Sequence, residues 1–163
     1  MRLLAATPIL LAALPAAAAP ESPLRLGVEG GIAWYNAFPD ELLGPAGLVR
    51  LRTQLGDRFL ANVALSHLRQ PFEGREQVST MIPLTLDVRL DRAPLAPYLG
   101  GGAALIHVDG AGWDWGTVFE VGVEWAFSER WAFSGQATYT GHQQATVFPY
   151  FSSLTFGLTA SVL

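Results

Sequence analysis

Phe119-Glu120-Val121-Gly122-Val123-Glu124-Trp125-Ala126-Phe127 places every large apolar side chain at an odd position and both of its carboxylates at even ones. Successive side chains of a strand point to opposite faces, so this segment reads as a strand with one greasy and one ionic face. The same division recurs along the chain. Arg25 and Glu29 alternate with Leu24, Leu26, Val28, Ile32 and Trp34, and Arg50 and Arg52 alternate with Val49, Leu51 and Leu55. Asp87 and Arg89 alternate with Ile82, Leu84, Leu86, Val88 and Leu90. Together with Glu120 and Glu124, the set holds four arginines and four carboxylates and sums to zero. A sheet with a balanced ionic face and a face of Leu, Val, Phe and Trp fits a closed barrel in lipid, with hydrocarbon outside and a paired polar interior.

Period-2 segments number eight: 24–34, 47–55, 59–68, 78–90, 96–108, 117–127, 131–140 and 150–162. The fold class this predicts is all-β, an eight-stranded antiparallel up-and-down transmembrane β-barrel. The connections alternate in character. Gly56-Asp57-Arg58, the segment Asp91 to Pro97, and Ser128-Glu129-Arg130 are rich in turn residues. The other four connections, 36–46, 69–77, 109–116 and 141–149, are longer and carry Asn, Asp, Gly, Pro, Gln and Trp. Short turns on one side and longer loops on the other match the periplasmic and external sides of an outer-membrane barrel. The even strand count predicts both termini in the periplasm.

The beginning of the chain reads as an export address. Met1-Arg2 precedes an apolar run from Leu3 to Leu14, and Pro15 with Ala16 to Ala19 closes it. A charged start, a short apolar core and a small-residue exit are the parts of a secretory signal peptide, and the core is too short for a membrane helix. Cleavage is expected after Ala18, giving a signal peptide at 1–18 and a barrel domain at 19–163; a retained anchor is the alternative. The chain has no cysteine, which excludes disulfides, a thiolate metal site and a lipoprotein anchor. Mean hydropathy is positive, yet no stretch beyond the leader matches a membrane helix in length. The net charge of −4 without a basic cluster argues against nucleic acid as a partner.

Aromatic residues are placed as interface anchors. Phe59, Tyr98, Trp125, Phe127 and Trp131 are assigned to the apolar phase beside the short turns, and Trp34, Phe119 and Tyr139 to the same phase near the loops. Two such belts are expected where rings meet lipid headgroups; ordinary core aromatics of a soluble β-sandwich are the competing explanation. The fifth segment is the least regular, because Gly100-Gly101-Gly102 leaves almost no side chain on either face. It reads as a kink with room for an adjacent aromatic, and without a following Lys-Ser/Thr it is no phosphate loop.

Two longer stretches carry a family likeness. Pro97-Tyr98-Leu99-Gly100-Gly101-Gly102-Ala103-Ala104-Leu105, and the run from Gly122-Val123-Glu124-Trp125 through Ser128-Glu129-Arg130-Trp131 to Tyr139, resemble the small eight-stranded outer-membrane barrels of the OmpA, OmpX and opacity-protein type. The resemblance implies a Gram-negative outer-membrane location and the barrel architecture. It leaves the role open among structural anchor, adhesin, small-solute pore and enzyme. It also implies lipopolysaccharide, outer-membrane lipid and the barrel-assembly machinery as partners. Such barrels usually end in an outward aromatic, whereas Leu154, Phe156, Leu158, Ala160 and Val162 form the outward phase here and Leu163 falls one step off it.

Catalytic patterns are weak. Lipid A deacylases of this architecture resemble serine hydrolases with a His-x-Ser-Asn stretch; the nearest match, His142-Gln143-Gln144-Ala145, has Gln in place of the nucleophile, and no acidic residue follows Glu129. His67 is assigned to the apolar phase of the third strand. His107 is assigned to the polar phase of the fifth, where with Asp109 it supplies only two ligands for a metal. No catalytic residue, metal or cofactor is predicted. The lumen set, with Gln54, Asn62 and Gln136, is the candidate functional element, either as a plug of ion pairs or as a gate whose pairs exchange partners. The function expected is that of a non-enzymatic integral outer-membrane barrel with a structural, surface-interaction or minor-permeation role. A lipid A-modifying enzyme and a soluble periplasmic lipocalin-like carrier are the alternatives.

Overall fold

In the computed structural model, residues 24–35, 43–72, 75–91, 94–142 and 150–162 are described. They form eight antiparallel strands: β1 Leu24–Tyr35, β2 Leu43–Gln54, β3 Phe59–Phe72, β4 Arg75–Arg89, β5 Leu95–Val108, β6 Gly112–Ala126, β7 Trp131–His142 and β8 Tyr150–Ser161. Each strand pairs with its sequence neighbours, and β1 also pairs with β8, so the sheet closes on itself. Closure leaves no edge with unpaired backbone groups, the condition for a sheet to sit in hydrocarbon. No helix of the described residues is long and apolar enough to cross a membrane.

The described turns at the end where β1 begins and β8 finishes are short. Leu55 N donates to Phe59 O at 2.8 Å while Gly56 takes a φ of 88°, a conformation glycine adopts without steric cost. Ser128 Oγ accepts from the amides of Arg130 and Trp131 at 3.3 and 3.0 Å, fixing the β6–β7 turn.

At the opposite end the structure corrects two expected loops. The segment 69–77 is mostly strand, since β3 runs on to Phe72 and β4 starts at Arg75. The expected loop 109–116 shrinks to a turn at 109–111, and Trp113 and Trp115 lie on β6. Strands β3 to β6 therefore hold 14 or 15 residues, against 12 in the others. At about 3.3 Å per residue, the longer strands exceed what a tilted crossing of a roughly 25 Å apolar band requires, so β3 to β6 run past such a band. Strand β2 likewise starts early, at Leu43, through Gly44-Pro45. Pro45 pairs with Ile32 on β1, while pairing with β3 begins only at Ala46, so its missing N–H faces no ladder. The expected loops 36–46 and 141–149 fall largely outside the described residues.

Candidate functional site in the barrel lumen

Alternation along each strand divides the side chains between lumen and exterior. All eight charged residues of the sequence-derived set are buried in the lumen: Arg25, Glu29, Arg50, Arg52, Asp87, Arg89, Glu120 and Glu124. Large apolar residues such as Leu26, Val49, Leu86, Val121 and Leu158 are exposed on the outside. A soluble carrier with an apolar interior and polar exterior is the reverse of this arrangement.

Five strands contribute to the centre of the ionic network. Glu124 on β6 receives Arg25 Nη1 at 2.9 Å, Arg52 Nη1 at 2.5 Å and Arg89 Nη2 at 3.5 Å, from β1, β2 and β4. Arg52 also reaches Asp87 Oδ2 at 3.3 Å and, through Nε, Asn62 Oδ1 at 2.5 Å. Above this layer, Glu29 lies 3.6 Å from Arg50 and accepts from the hydroxyls of Ser134 at 2.9 Å and Thr155 at 2.7 Å. Arg50 donates to Gln136 and, at 3.2 Å, to the Tyr98 hydroxyl. Charges removed from water are tolerated only when their hydrogen-bonding capacity is met in this way. Gln54 does not join the network; its amide closes the β2–β3 turn on Gly56 O at 2.8 Å.

The placement of Tyr98 is a correction. Expected outside as an interface aromatic, it is 1 % exposed and points into the lumen. Its ring lies against Gly122, its register partner on β6, where any Cβ would collide with it. The Arg52 guanidinium stacks over it 4.4 Å from the ring centroid, and its hydroxyl donates to Gln136 Oε1 at 3.1 Å. The three glycines leave the two faces of β5 indistinguishable by side-chain size, which inverted the assignment of the strand. His107 is inverted with it: it lies outside, its ring 4.9 Å from that of Trp113. The other seven aromatics, Trp34, Phe59, Phe119, Trp125, Phe127, Trp131 and Tyr139, occupy outward positions, with Trp34 and Trp125 partly covered. Phe119 packs beside Gly101 on the outside, filling the space that the glycine leaves. Strands β6 to β8 carry most of the outward aromatics, including Trp113, Trp115, Phe133, Tyr150 and Phe156, whereas β2 and β4 present Leu, Val and Ile. His67 is exposed and shares a 3.2 Å contact with Thr80.

Sequence reasoning missed the upper half of the lumen. Toward the loop end, below the Asp114–His142 contact at the rim, the interior holds a cluster of Ala33, Leu68, Met81, Ile106, Val118 and Phe151 with small neighbours. The outward phase of these strands is equally apolar, so periodicity gave no signal there; only the inward phase defined by the charged half of each strand points to it. Between the two halves lies a cavity of about 20 Å³ bordered by Arg50, Glu120, Thr140, Thr155, Leu48 and Met81, room for about one water.

At the rim, His142 Nδ1 lies 3.4 Å from Asp114 Oδ2, and the imidazole packs edge-on against Phe151 at 5.2 Å. Its Nε2 is buried and meets no hydrogen-bond partner among the described residues. No group of three metal-binding side chains occurs among them either.

The fold is similar to that of Neisserial surface protein A, with a TM-score of 0.74 and 15% identity over 90% of this chain and 99% of that one. It is also similar to the outer membrane protein OprG from Pseudomonas aeruginosa, with a TM-score of 0.58 and 10% identity over 85% and 96%. The outer membrane enzyme PagL matches with a TM-score of 0.55 and 8% identity over 85% and 99%. At such identities the likeness establishes the fold alone. No curated protein sequence matches the chain. A family profile, that of the outer membrane protein beta-barrel domain, matches residues 4–161. With the closed eight-stranded barrel, the outward apolar face and this match over nearly the whole sequence, the chain belongs to the outer membrane protein beta-barrel family.

Proposed function

We propose that the protein is a closed, non-catalytic outer-membrane barrel that acts through its loop end, as a surface-interaction or structural element. The observation that carries this reading is the two-part filling of the lumen. An ion-pair layer occupies the terminal half and an apolar layer the loop half. Passage of an ion would have to disrupt both, since water and charge are disfavoured beside apolar walls just as guanidinium groups are disfavoured without partners. In this reading the leader at 1–18 directs export, the barrel-assembly machinery inserts the sheet, and lipopolysaccharide and outer-membrane lipid surround its outward aromatics. Planar-bilayer recording is the test. The refolded barrel is expected to leave membrane conductance at its baseline; long-lived, reproducible channel steps would replace this reading with that of a pore.

The enzymatic alternative rests on one feature, the Asp114–His142 pair. A hydrolase of the serine type needs a hydroxyl on the far imidazole nitrogen, and among the described residues none reaches His142 Nε2. Expression in a Gram-negative host is expected to leave the lipid A mass spectrum unchanged. A new lipid A species that disappears in His142→Ala would establish the enzyme instead.

A further inference from the structure

Two turns at the terminal end repeat one five-residue frame: Leu55-Gly56-Asp57-Arg58-Phe59 between β2 and β3, and Phe127-Ser128-Glu129-Arg130-Trp131 between β6 and β7. Each runs apolar, small, acid, arginine, aromatic, and each closes in the same way. Leu55 N donates to Phe59 O at 2.8 Å, and Phe127 N donates to Trp131 O at 3.2 Å. The carbonyls of Arg58 and Arg130 then accept at 2.8 Å from Arg89 N at the end of β4 and from Ser161 N at the end of β8. Strands β3 and β7 lie opposite each other in the closed ring, so the two frames occupy opposite sides of the barrel. The acid, the arginine and the aromatic of each frame are exposed. Among the described residues no ion pair or hydrogen bond engages the side chains of Arg58, Glu129 or Arg130. Beside the second frame the outward rings of Trp125, Phe127 and Phe133 pack together, with centroids 4.8 to 6.4 Å apart.

We infer that each frame docks the headgroup of an ethanolamine phospholipid, with the arginine on the phosphate, the acid on the ammonium and the aromatic against the glycerol and first acyl carbons. The inference rests on the reading of the chain as a membrane barrel whose terminal end meets a leaflet of glycerophospholipid. Charge complementarity selects the occupant. A guanidinium fork matches phosphate oxygens, and an outward ring one residue further along belongs at the headgroup level. The acid beside the arginine narrows the choice. It repels a purely anionic headgroup, and choline has no N–H to donate to it, whereas a primary ammonium offers three. The remaining short link carries Asp91-Arg92 without a following aromatic and closes over a longer span, Leu90 N to Pro97 O at 2.8 Å. It lacks the frame and is assigned no headgroup.

The test is native mass spectrometry of the full barrel released from nanodiscs that hold equal parts of phosphatidylethanolamine, phosphatidylcholine and phosphatidylglycerol with matched acyl chains. Wild type is expected to retain phosphatidylethanolamine over each of the others by about threefold or more, within the discrimination an exposed charge pair supplies. Arg58→Gln and Arg130→Gln should each lower that retained lipid by about half, since the two sites are distant and independent, and the double variant should abolish the excess. Glu129→Gln should shift retention toward phosphatidylglycerol. Substitutions at exposed turn positions leave the sheet untouched, so each variant should keep the heat-modifiable migration of the folded barrel. Equal retention of the three lipids by wild type, or an excess that survives the double arginine variant, would mean that the turn charges are merely solvated and the inference fails. Preferential retention of phosphatidylglycerol by wild type would also overturn it, since the acid would then play no part. Channel steps in a planar bilayer would instead remove the closed-barrel reading and leave the lipid counts standing, so the two failures are told apart.

Discussion

Glu124 sits where three guanidinium groups from three strands converge, so its negative charge is the element whose loss leaves most behind uncompensated. Glu124→Gln is therefore expected to destabilise the folded barrel by about 3–5 kcal/mol, read from urea unfolding in micelles; a change below about 1 kcal/mol would mean that the layer is hydrated rather than dry. Tyr98 offers a second test at this scale, because its inward position was hidden by the glycines beside it. Tyr98→Phe removes the hydroxyl that joins Arg50 to Gln136 and should cost about 1 kcal/mol. Tyr98→Ala also empties the space over Gly122 and the stacking surface under Arg52, and should cost about 3–5 kcal/mol. A lipid-facing tyrosine would show little difference between wild type and the phenylalanine variant. The charged lumen residues were legible individually because a charge on an alternating strand marks its face. A tyrosine carries no such mark, being at home in a membrane interface and in a polar core.

Strand positions were legible to within a few residues at the terminal end, where Gly56-Asp57-Arg58 and Ser128-Glu129-Arg130 break the alternation sharply. They were not at the loop end. Polar and turn-forming residues around 69–77 and 109–116 read as loops, yet they continue β3 to β6, because a strand that has left the hydrocarbon no longer needs an apolar outward face. Arg69 and Glu76, whose side chains face each other at 3.5 Å in the open, illustrate the point. This extension sets the topology that labelling can test. The chain has no native cysteine, so single cysteines report cleanly. Glu76→Cys and Asp109→Cys should react with a membrane-impermeant maleimide on intact cells, while Asp57→Cys and Glu129→Cys should react only after the outer membrane is breached. The opposite pattern would invert the barrel in the membrane.

The whole molecule stores its polar groups inside and its greasy ones outside, so its stability is inseparable from the lipid or detergent that covers it. It should fractionate with the outer membrane and migrate at different positions on a detergent gel before and after boiling, as the closed sheet resists detergent until heated. Recovery in a soluble periplasmic fraction would contradict the orientation of every strand. The closed ladder was predictable from eight alternating segments; the apolar half of the lumen was not, since a segment apolar on both faces announces burial without saying on which side. The crowding of tryptophan onto one hairpin has a use of its own. Four of the chain's five tryptophans lie on β6 and β7, all pointing outward, with Trp113 and Trp115 toward the loop end and Trp125 and Trp131 beside the opposite turn. During insertion the first two must travel across the bilayer while the second two remain where they entered. Their emission, quenched by brominated acyl chains at graded depths, would thus serve as a built-in clock for the passage of this hairpin.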